Sequence, residues 1–283
     1  MADINSLVYD VVEGKTASSL DRIRNLFFSL SKRMEKEGSP VKSERIDNSF
    51  TFYSGMDLAF FNQAVVFDGN KESRDKVLQR IASWNIKNIV FLGGAGLKHA
   101  EHLKTIGYVN VGAGPLMGYA VDSRYKDFEL RSGLTAVRTE TEAQFDVNVP
   151  LLSAAFELSE EIARSYASSL LKDKECYRYV LFDNGTAVST SLFMKDGDFV
   201  GCFDVATPAE HQRKGYGEEL MKFMLKEQYE LGSRLVMLQS SAAGEVLYRR
   251  MGYQIIEYLQ SWQLTEPELL IKFEAERAEG GGQ

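Results

Sequence analysis

The residues with the clearest capacity for chemistry lie in residues 205–217, where a strand pattern runs through a polar, basic turn into a helix pattern. Gly215 and Gly217 have no Cβ, so the backbone here can approach a bulky anion closely. The first amides of a helix have no partner within the helix, and the helix dipole adds positive potential there. The turn therefore predicts an anion site suited to a diphosphate, although two glycines alone also fit an ordinary turn that starts a helix.

A second segment of interest lies one helix and one strand later. The small-residue loop at 240–244 leads into a helix pattern that ends in Met251-Gly252-Tyr253. Tyr248 lies in this helix pattern, and a tyrosine hydroxyl with the reference pKa of about 10 carries its proton at neutral pH. Such a hydroxyl can donate a proton or a hydrogen bond to a leaving group.

Together these segments resemble the GNAT (Gcn5-related N-acetyltransferase) superfamily. The resemblance rests on the pattern Q-x-x-G-x-G at 212–217 after a Val-x-Thr strand, and on Y-x-x-x-G-Y at 248–253 after the small-residue loop. It covers residues 134–263, and Pro208 departs from it by standing one place before its commonest position. The resemblance implies an α/β (α+β) fold with a mixed, mostly antiparallel sheet flanked by helices. It also implies an N-acetyltransferase that moves the acetyl group of acetyl-CoA directly to a primary amine in a ternary complex.

The resemblance also assigns the cofactor-binding residues. The strand at 205–207 holds the pantetheine arm like an added strand, and the amides of 213–217 surround the pyrophosphate. The side chains of Arg213 and Lys214 are equally compatible with a solvated basic loop. The implied cofactor-binding residues are Val205, Ala206, Thr207, Gln212, Arg213, Lys214, Gly215, Tyr216, Gly217, Ser241, Gly244 and Leu247.

Acetyl transfer from a thioester needs a neutral amine, a stabilised oxyanion and a proton for the departing thiolate. The resemblance implies Tyr248 as the acid, the alternative being a ring that packs on pantetheine and only positions the sulfur. The amides near Asp204 and Val205 are the expected oxyanion donors. Asp204 is the candidate base, with a structural role as its alternative, and Glu157, Glu160 and Glu161 are weaker candidates. Cys202 has no histidine predictably beside it, so a buried strand thiol is the expectation.

The first half of the chain resembles a degenerate copy of the second. Its strand at 89–92, small-residue loop, helix and Gly107-Tyr108 mirror the strand at 235–238, the loop at 240–244, the next helix and Gly252-Tyr253. Leu103 stands opposite Tyr248, and the segment 67–71 is too short and too poor in glycine for a phosphate loop. The glycines at 93–96 lack the third glycine of a dinucleotide motif and are explained by the repeat. We therefore expect one acetyl-CoA per chain.

The elements that position these residues are predicted from periodicity. Helices are predicted at 17–34, 72–84, 97–106, 142–171 with a break at Pro150, 216–231 closed by Gly232, and 245–251; strands are predicted within 51–67 and at 86–92, 116–121, 134–139, 177–182, 187–194, 199–207 and 234–239. A degenerate GNAT-like domain is expected at 1–128, with the boundary in the polar stretch 122–133. The acetyltransferase domain is expected at 129–283 and ends in a loose tail at 274–283.

Composition sets further limits. The chain has 283 residues, 44% hydrophobic, and a net charge of -7, so no global positive field attracts nucleic acid or anionic lipid. Its apolar runs are too short to cross a bilayer and its start lacks a signal pattern, which predicts a cytoplasmic protein. Two cysteines and three histidines at unsuitable spacings predict no metal site. The expected partner is a small-molecule or peptide amine. Its identity, the acyl-chain preference and the oligomeric state are left open.

Overall fold

The computed structural model describes residues 11–12, 15–16, 25, 29–30, 32–35, 40–168 and 170–280. The chain forms two compact units. The C-terminal unit holds residues 117–239 and 243–254, and the N-terminal unit holds the preceding described residues together with 240–242 and 255–280. This discontinuous division differs from a single boundary at 128/129, because the strand and helix after residue 254 belong with the first half of the chain.

The elements are numbered in chain order. The strands are β1 Val11–Val12, β2 Lys15–Thr16, β3 Lys42–Ile46, β4 Ser49–Tyr53, β5 Asn62–Val66, β6 Asn88–Leu92, β7 Val109–Ala120, β8 Leu134–Arg138, β9 Cys176–Asp183, β10 Thr186–Asp196, β11 Phe199–Ala206, β12 Leu235–Gln239 and β13 Gln254–Leu264. The α-helices are α1 Lys71–Ala82, α2 Ala100–Thr105, α3 Glu142–Asp146, α4 Asn148–Phe156, α5 Glu160–Ser168, α6 Tyr216–Glu230, α7 Ala242–Met251 and α8 Pro267–Gly280.

In the N-terminal unit, neighbouring strands run in the order β3-β4-β5-β6-β13. The pairs β3/β4, β4/β5 and β6/β13 are antiparallel, and β5/β6 is parallel. Helix α1 places Val77, Leu78 and Ile81, each 1% exposed, against the apolar side chains of β5 and β6. Leu270 of α8 is buried in the same core, and this helix continues through residues 274–280, where a loose tail was predicted.

In the C-terminal unit, the strand order is β12-β11-β10-β9-β8. Strands β8 to β11 pair antiparallel, whereas β11 and β12 pair parallel. Helix α6 buries Leu220, Met221, Met224 and Leu225, one stripe at spacings of one, three and four residues. Gly232, at φ +70°, comes after the end of α6 as predicted, because a glycine accepts this left-handed conformation without a Cβ clash.

Several predicted elements are confirmed and others need correction. The hairpin between β9 and β10 turns at Asn184 and Gly185, both at positive φ. Pro150 does not break a helix: it lies in the first turn of α4, where a missing amide costs nothing, and the helical region is interrupted at Val147 and Glu157 instead. Strands β3 and β13 and helix α8 were not predicted. The helix predicted at 17–34 lies largely outside the described residues.

Candidate active site

The strand pair β11/β12 is open at one end. Its parallel pairing runs from Phe199 opposite Leu235 to Gly201 opposite Met237. Both strands continue beyond this point, β11 to Ala206 and β12 to Gln239. Over these fully described strands, no pairing between β11 and β12 continues past Gly201. An extended ligand can bind an unpaired strand edge as an added strand.

A bulge in β11 accompanies this opening. The register of β11 against β10 shifts by one residue between the pairs Phe203/Leu192 and Ala206/Thr190. Asp204 lies within the shift at φ +53°, an uncommon conformation for a residue with a side chain. An extra residue of this kind bends a strand and increases its local twist.

The Asp204 side chain is held by two protein donors. Arg178 Nη2 donates to Asp204 Oδ2 at 2.6 Å, and the Tyr166 hydroxyl donates to Oδ1 at 3.2 Å. The side chains of Arg178 and Asp204 are only 6% and 11% exposed. Both carboxylate oxygens are therefore occupied, a geometry that favours a structural role for Asp204 over proton transfer. Sequence reasoning missed Arg178, although an arginine inside the apolar strand β9 was a usable signal for a buried ion pair.

The loop before α6 presents a run of unbonded amides. Arg213 and Gly215 have φ values of +60° and +83°. The first helical hydrogen bond runs from the Glu219 amide to the Gly215 carbonyl at 3.0 Å, and no side chain caps the helix. Within this fully described loop, the amides of 213–218 make no main-chain hydrogen bond, as an anion site at a helix start requires.

Two side chains brace the loop from within. Gln212 Nε2 donates to the Thr207 carbonyl and Lys214 Nζ donates to the Glu210 carbonyl, each at 3.0 Å. An added Cβ on Gly217 would lie 3.5 Å from Thr207 Oγ1, an ordinary contact. Gly215 is the more restrictive glycine, because its positive φ strains any other residue.

Tyr248 lies on α7 with its side chain largely enclosed. It is 7% exposed, and its ring centroid is 5.4 Å from that of Tyr253. Burial, with a smaller contribution from Cys202, raises the pKa of the Tyr248 hydroxyl above its ordinary value, so the hydroxyl keeps its proton. Cys202 is confirmed as a buried free thiol, and burial raises its pKa as well.

The remaining predicted residues lie on the same elements. At the end of β11, Ala206 is buried and its neighbours Val205 and Thr207 are half-buried. Tyr216 is buried at the start of α6. Ser241 is exposed immediately before α7, and Gly244 and Leu247 are half-buried within that helix. The alternative bases are less well placed. Glu157 ends α4 in the left-handed region, and Glu160 and Glu161 are exposed in the first turn of α5.

The corresponding strand pair of the N-terminal unit is closed. Strands β5 and β6 stay paired to their ends, Val66 opposite Leu92. The Gly93 amide then donates to the Val66 carbonyl at 3.1 Å, and an added Cβ on Gly96 would lie 2.1 Å from that same oxygen. The backbone of the next loop thus fills the position that is open beside β11.

The start of α1 is also satisfied by its own side chains. Asn70 Oδ1 accepts from the Glu72 amide at 2.8 Å, and Asp68 Oδ1 accepts from the Asn70 amide at 2.8 Å. These acceptors occupy amides that a phosphate would need, and Asp68 adds negative charge. Leu103, which the sequence comparison predicts to stand opposite Tyr248, is 1% exposed and belongs to the apolar core.

The described residues were also searched for metal-binding clusters and for helices that could span a membrane. Among the described residues, no cluster of three or more His, Cys, Asp or Glu side chains could hold a metal ion. The described helices include none that is both long and apolar enough to span a membrane.

Comparison with known proteins agrees with this geometry. Residues 136–256 match the family model of the acetyltransferase (GNAT) domain, which includes β11, the loop, α6 and α7. A comparison with curated proteins finds no match. Residues 136–256 therefore form a GNAT domain, and this domain makes the protein an acyltransferase.

Solved structures extend the fold similarity over most of the chain. A GCN5-related N-acetyltransferase from Kribbella flavida has a TM-score of 0.66 at 18% identity, covering 87% of this chain and 95% of its own. One from Sphaerobacter thermophilus has a TM-score of 0.58 at 16% identity, covering 87% and 92%. A tandem GNAT protein from the clavulanic acid biosynthesis pathway has a TM-score of 0.55 at 13% identity, covering 87% of both chains. These similarities in fold extend beyond the GNAT domain into the first half of the chain.

Proposed function

We propose that the C-terminal unit binds acetyl-CoA and transfers its acetyl group to a primary amine, directly and in a ternary complex in the cytoplasm. One observation carries this proposal: the pairing of β11 with β12 stops at Gly201, and β11 then leads into the amides of 213–218, which make no main-chain hydrogen bond. The edge of β11 suits the two amides of pantetheine, and the loop suits the diphosphate. The GNAT domain match over the same residues supports acetyl-CoA as the cosubstrate.

The chemistry would use few side chains. The neutral amine attacks the thioester carbonyl, a C–N bond forms, the C–S bond breaks to release the CoA thiolate, and the nitrogen loses a proton to water. A backbone amide near Val205 stabilises the oxyanion, and Tyr248 donates its hydroxyl proton, or a hydrogen bond, to sulfur. The raised pKa of Tyr248 keeps the donor protonated but makes complete proton transfer less favourable, which gives weight to the hydrogen-bonding role.

We further propose that the N-terminal unit is a degenerate copy that binds no acetyl-CoA. Strands β5 and β6 stay paired to Val66, and the side chains of Asp68 and Asn70 accept from two of the amides at the start of α1. Without charge-assisted amide bonds, each worth about 1.5 to 3 kcal/mol, a diphosphate has little to bind there.

Calorimetry with acetyl-CoA tests both proposals. We expect one site per chain, and loss of binding in Gly215→Glu, which places bulk and negative charge among the free amides. Gly197→Glu is the matched control, because Gly197 has a positive φ like Gly215. An added Cβ on Gly197 would meet nothing within 4 Å, and the residue lies in the turn between β10 and β11, away from the loop. Two sites of similar affinity would refute the degenerate copy. Equal affinity in a folded Gly215→Glu variant would refute the loop assignment.

The acceptor class requires a second experiment. Purified protein is mixed with acetyl-CoA and a panel of small amines, amino acids and lysine peptides, and release of free CoA is followed. At least one primary amine should give release that Gly215→Glu abolishes. If the protein bound acetyl-CoA tightly but released no free CoA with any amine, the proposal of an enzyme would give way to that of an acyl-CoA sensor.

A further inference from the structure

Arg131 lies beside the free amides of the loop, although it comes from the polar stretch that precedes β8. Its Nη2 donates to the Lys214 carbonyl at 2.9 Å. Its Nη1 is 3.8 Å from the position of a Cβ on Gly215. The guanidinium is thus close to the backbone that an anion would contact.

The Arg131 side chain is held in this position by several contacts. Its guanidinium carbon lies 5.1 Å from the centre of the Tyr216 ring, a cation-π arrangement. The Tyr216 hydroxyl in turn donates to Asp183, which fixes the ring. The Arg131 main-chain amide donates to Glu219 Oε2 at 3.3 Å.

The charge of Arg131 is not neutralised by these contacts. Within the described part of the chain, no carboxylate forms an ion pair with its guanidinium; Asp183 is bonded to Tyr216, and Glu219 accepts from the Arg131 backbone. A guanidinium has five N–H donors, and the Lys214 carbonyl uses one of them. The Arg131 guanidinium is therefore an oriented cation with N–H donors left over, and it lies next to the amides of 213–218.

We propose that Arg131 binds a phosphate group of acetyl-CoA and completes the anion site with a charged side chain. This inference rests on the proposed function of the loop. The planar guanidinium suits a phosphate because two parallel N–H donors match two phosphate oxygens. The diphosphate and the 3′-phosphate of the nucleotide share this chemistry.

Arg131→Ala tests the proposal by calorimetry with acetyl-CoA and with acetyl-3′-dephospho-CoA. Affinity for acetyl-CoA should fall about tenfold, equivalent to about 1.4 kcal/mol. An equal fall with both ligands assigns the contact to the diphosphate, and a fall with acetyl-CoA alone assigns it to the 3′-phosphate. Unchanged affinity for acetyl-CoA overturns the proposal.

Salt separates a phosphate contact from a mere brace on the loop. The dissociation constant of acetyl-CoA for Arg131→Ala, divided by that for wild type, should fall toward one as KCl is raised, because an exposed ionic contact is screened. Arg131→Lys should retain part of the affinity through its charge. A salt-independent ratio with no rescue by lysine would show that Arg131 only supports the Lys214 carbonyl.

Lys195→Ala is the matched control. Lys195 is another exposed cation that donates to a backbone carbonyl, that of Leu231 at 2.9 Å. It lies at the far end of α6, a 15-residue helix about 22 Å long. A loss of affinity as large as in Arg131→Ala would overturn the proposal by showing a general charge effect. If wild-type protein binds acetyl-CoA and Gly215→Glu does not, an unchanged Arg131→Ala variant refutes this inference alone.

Discussion

Each unit contains one parallel strand pair, β11/β12 or β5/β6, and the two pairs end differently. Parallel pairing stops at Gly201 in the C-terminal unit, whereas in the N-terminal unit it continues to Val66 and is extended by the Gly93 amide. In the open pair, the strands part before they end and the amides of 213–218 make no main-chain hydrogen bond; in the closed pair, the strands stay paired to their ends and side chains accept from two amides of the helix start. The comparison shows that the candidate site is made by hydrogen bonds that the protein leaves unmade, since a completed sheet has nothing to offer a ligand.

Different local residues produce the two states. In the C-terminal unit, the bulge at Asp204 bends β11 and a buried ion pair with Arg178 stabilises the bend. In the N-terminal unit, β5 has an unbroken register, and Gly96 lets the next loop approach the Val66 carbonyl. Each state can therefore be tested by single substitutions.

The largest expected effect is on turnover. Tyr248→Phe removes the hydroxyl and keeps the ring, so kcat should fall by about 10²- to 10⁴-fold with acetyl-CoA affinity little changed. Steady-state kinetics with an acceptor found in the amine panel provides the measurement. Leu103→Met, a volume-conserving change at the opposite position in the repeat, should leave kcat unaltered. A loss of affinity with kcat retained would instead support the positioning role of Tyr248.

The next effect concerns the bend in β11. Arg178→Met leaves Asp204 buried without its cation, and the free energy of unfolding should drop by about 3 to 5 kcal/mol, with weaker acetyl-CoA binding. Denaturant unfolding measures this. The double variant Arg178→Met/Asp204→Leu should recover much of the stability, because no unpaired charge remains. Lys87→Met breaks the exposed pair with Asp57 and should cost less than about 1 kcal/mol. Equal losses of unfolding free energy in Arg178→Met and Lys87→Met would show that the buried Arg178–Asp204 pair does not stabilise the bend in β11.

A smaller effect is expected in the closed unit. Gly96→Ala forces a methyl group against the Val66 carbonyl, and the displaced loop should reduce the unfolding free energy by about 1 to 3 kcal/mol. Gly69→Ala is a milder comparator, since its added Cβ would lie 3.1 Å from the nearest atom. Calorimetry should give unchanged acetyl-CoA affinity in both variants. A changed affinity would mean that the closed loop contributes to binding after all.

The smallest expected effect is on how the free energy of unfolding depends on pH. Burial raises the pKa of Tyr248 above that of the unfolded chain, about 10, so its contribution to stability is complete below pH 10 and is lost as pH rises beyond it. Each such tyrosine can lower the unfolding free energy by at most about 1.4 kcal/mol per pH unit above that point. Unfolding at pH 8 and pH 11 should therefore show a smaller loss in Tyr248→Phe than in wild type. An alkaline fall in kcat below pH 9 would have to come from another group.

Local signals predicted the C-terminal unit well. The glycine loop, the Asn184-Gly185 turn and the stripe of α6 each depend on a few adjacent residues, and all appear as predicted. The bulge at Asp204 could not be predicted, because it depends on a register with β10 and on an arginine two strands away. The contact of Arg131 with the loop was missed for the same reason, since 83 residues separate it from Lys214.

The N-terminal unit was harder to predict. Strand β13 pairs with β6, from Gln260 opposite Leu92 to Leu264 opposite Asn88, across a sequence distance that no periodicity can reveal. Helix α8 was mistaken for a tail because its charged and small residues are equally typical of a solvated end. Its single buried anchor in the described core, Leu270, becomes visible only in three dimensions.

The pairing of β13 with β6 has a consequence for biosynthesis. A ribosome delivers β6 before the C-terminal unit and β13 after it, so the N-terminal unit lacks one strand of its sheet while the whole C-terminal unit is being made. The edge of β6 stays unprotected during that interval, and an exposed edge is open to pairing with other chains. The half of the protein that is translated first is thus the half that is completed last.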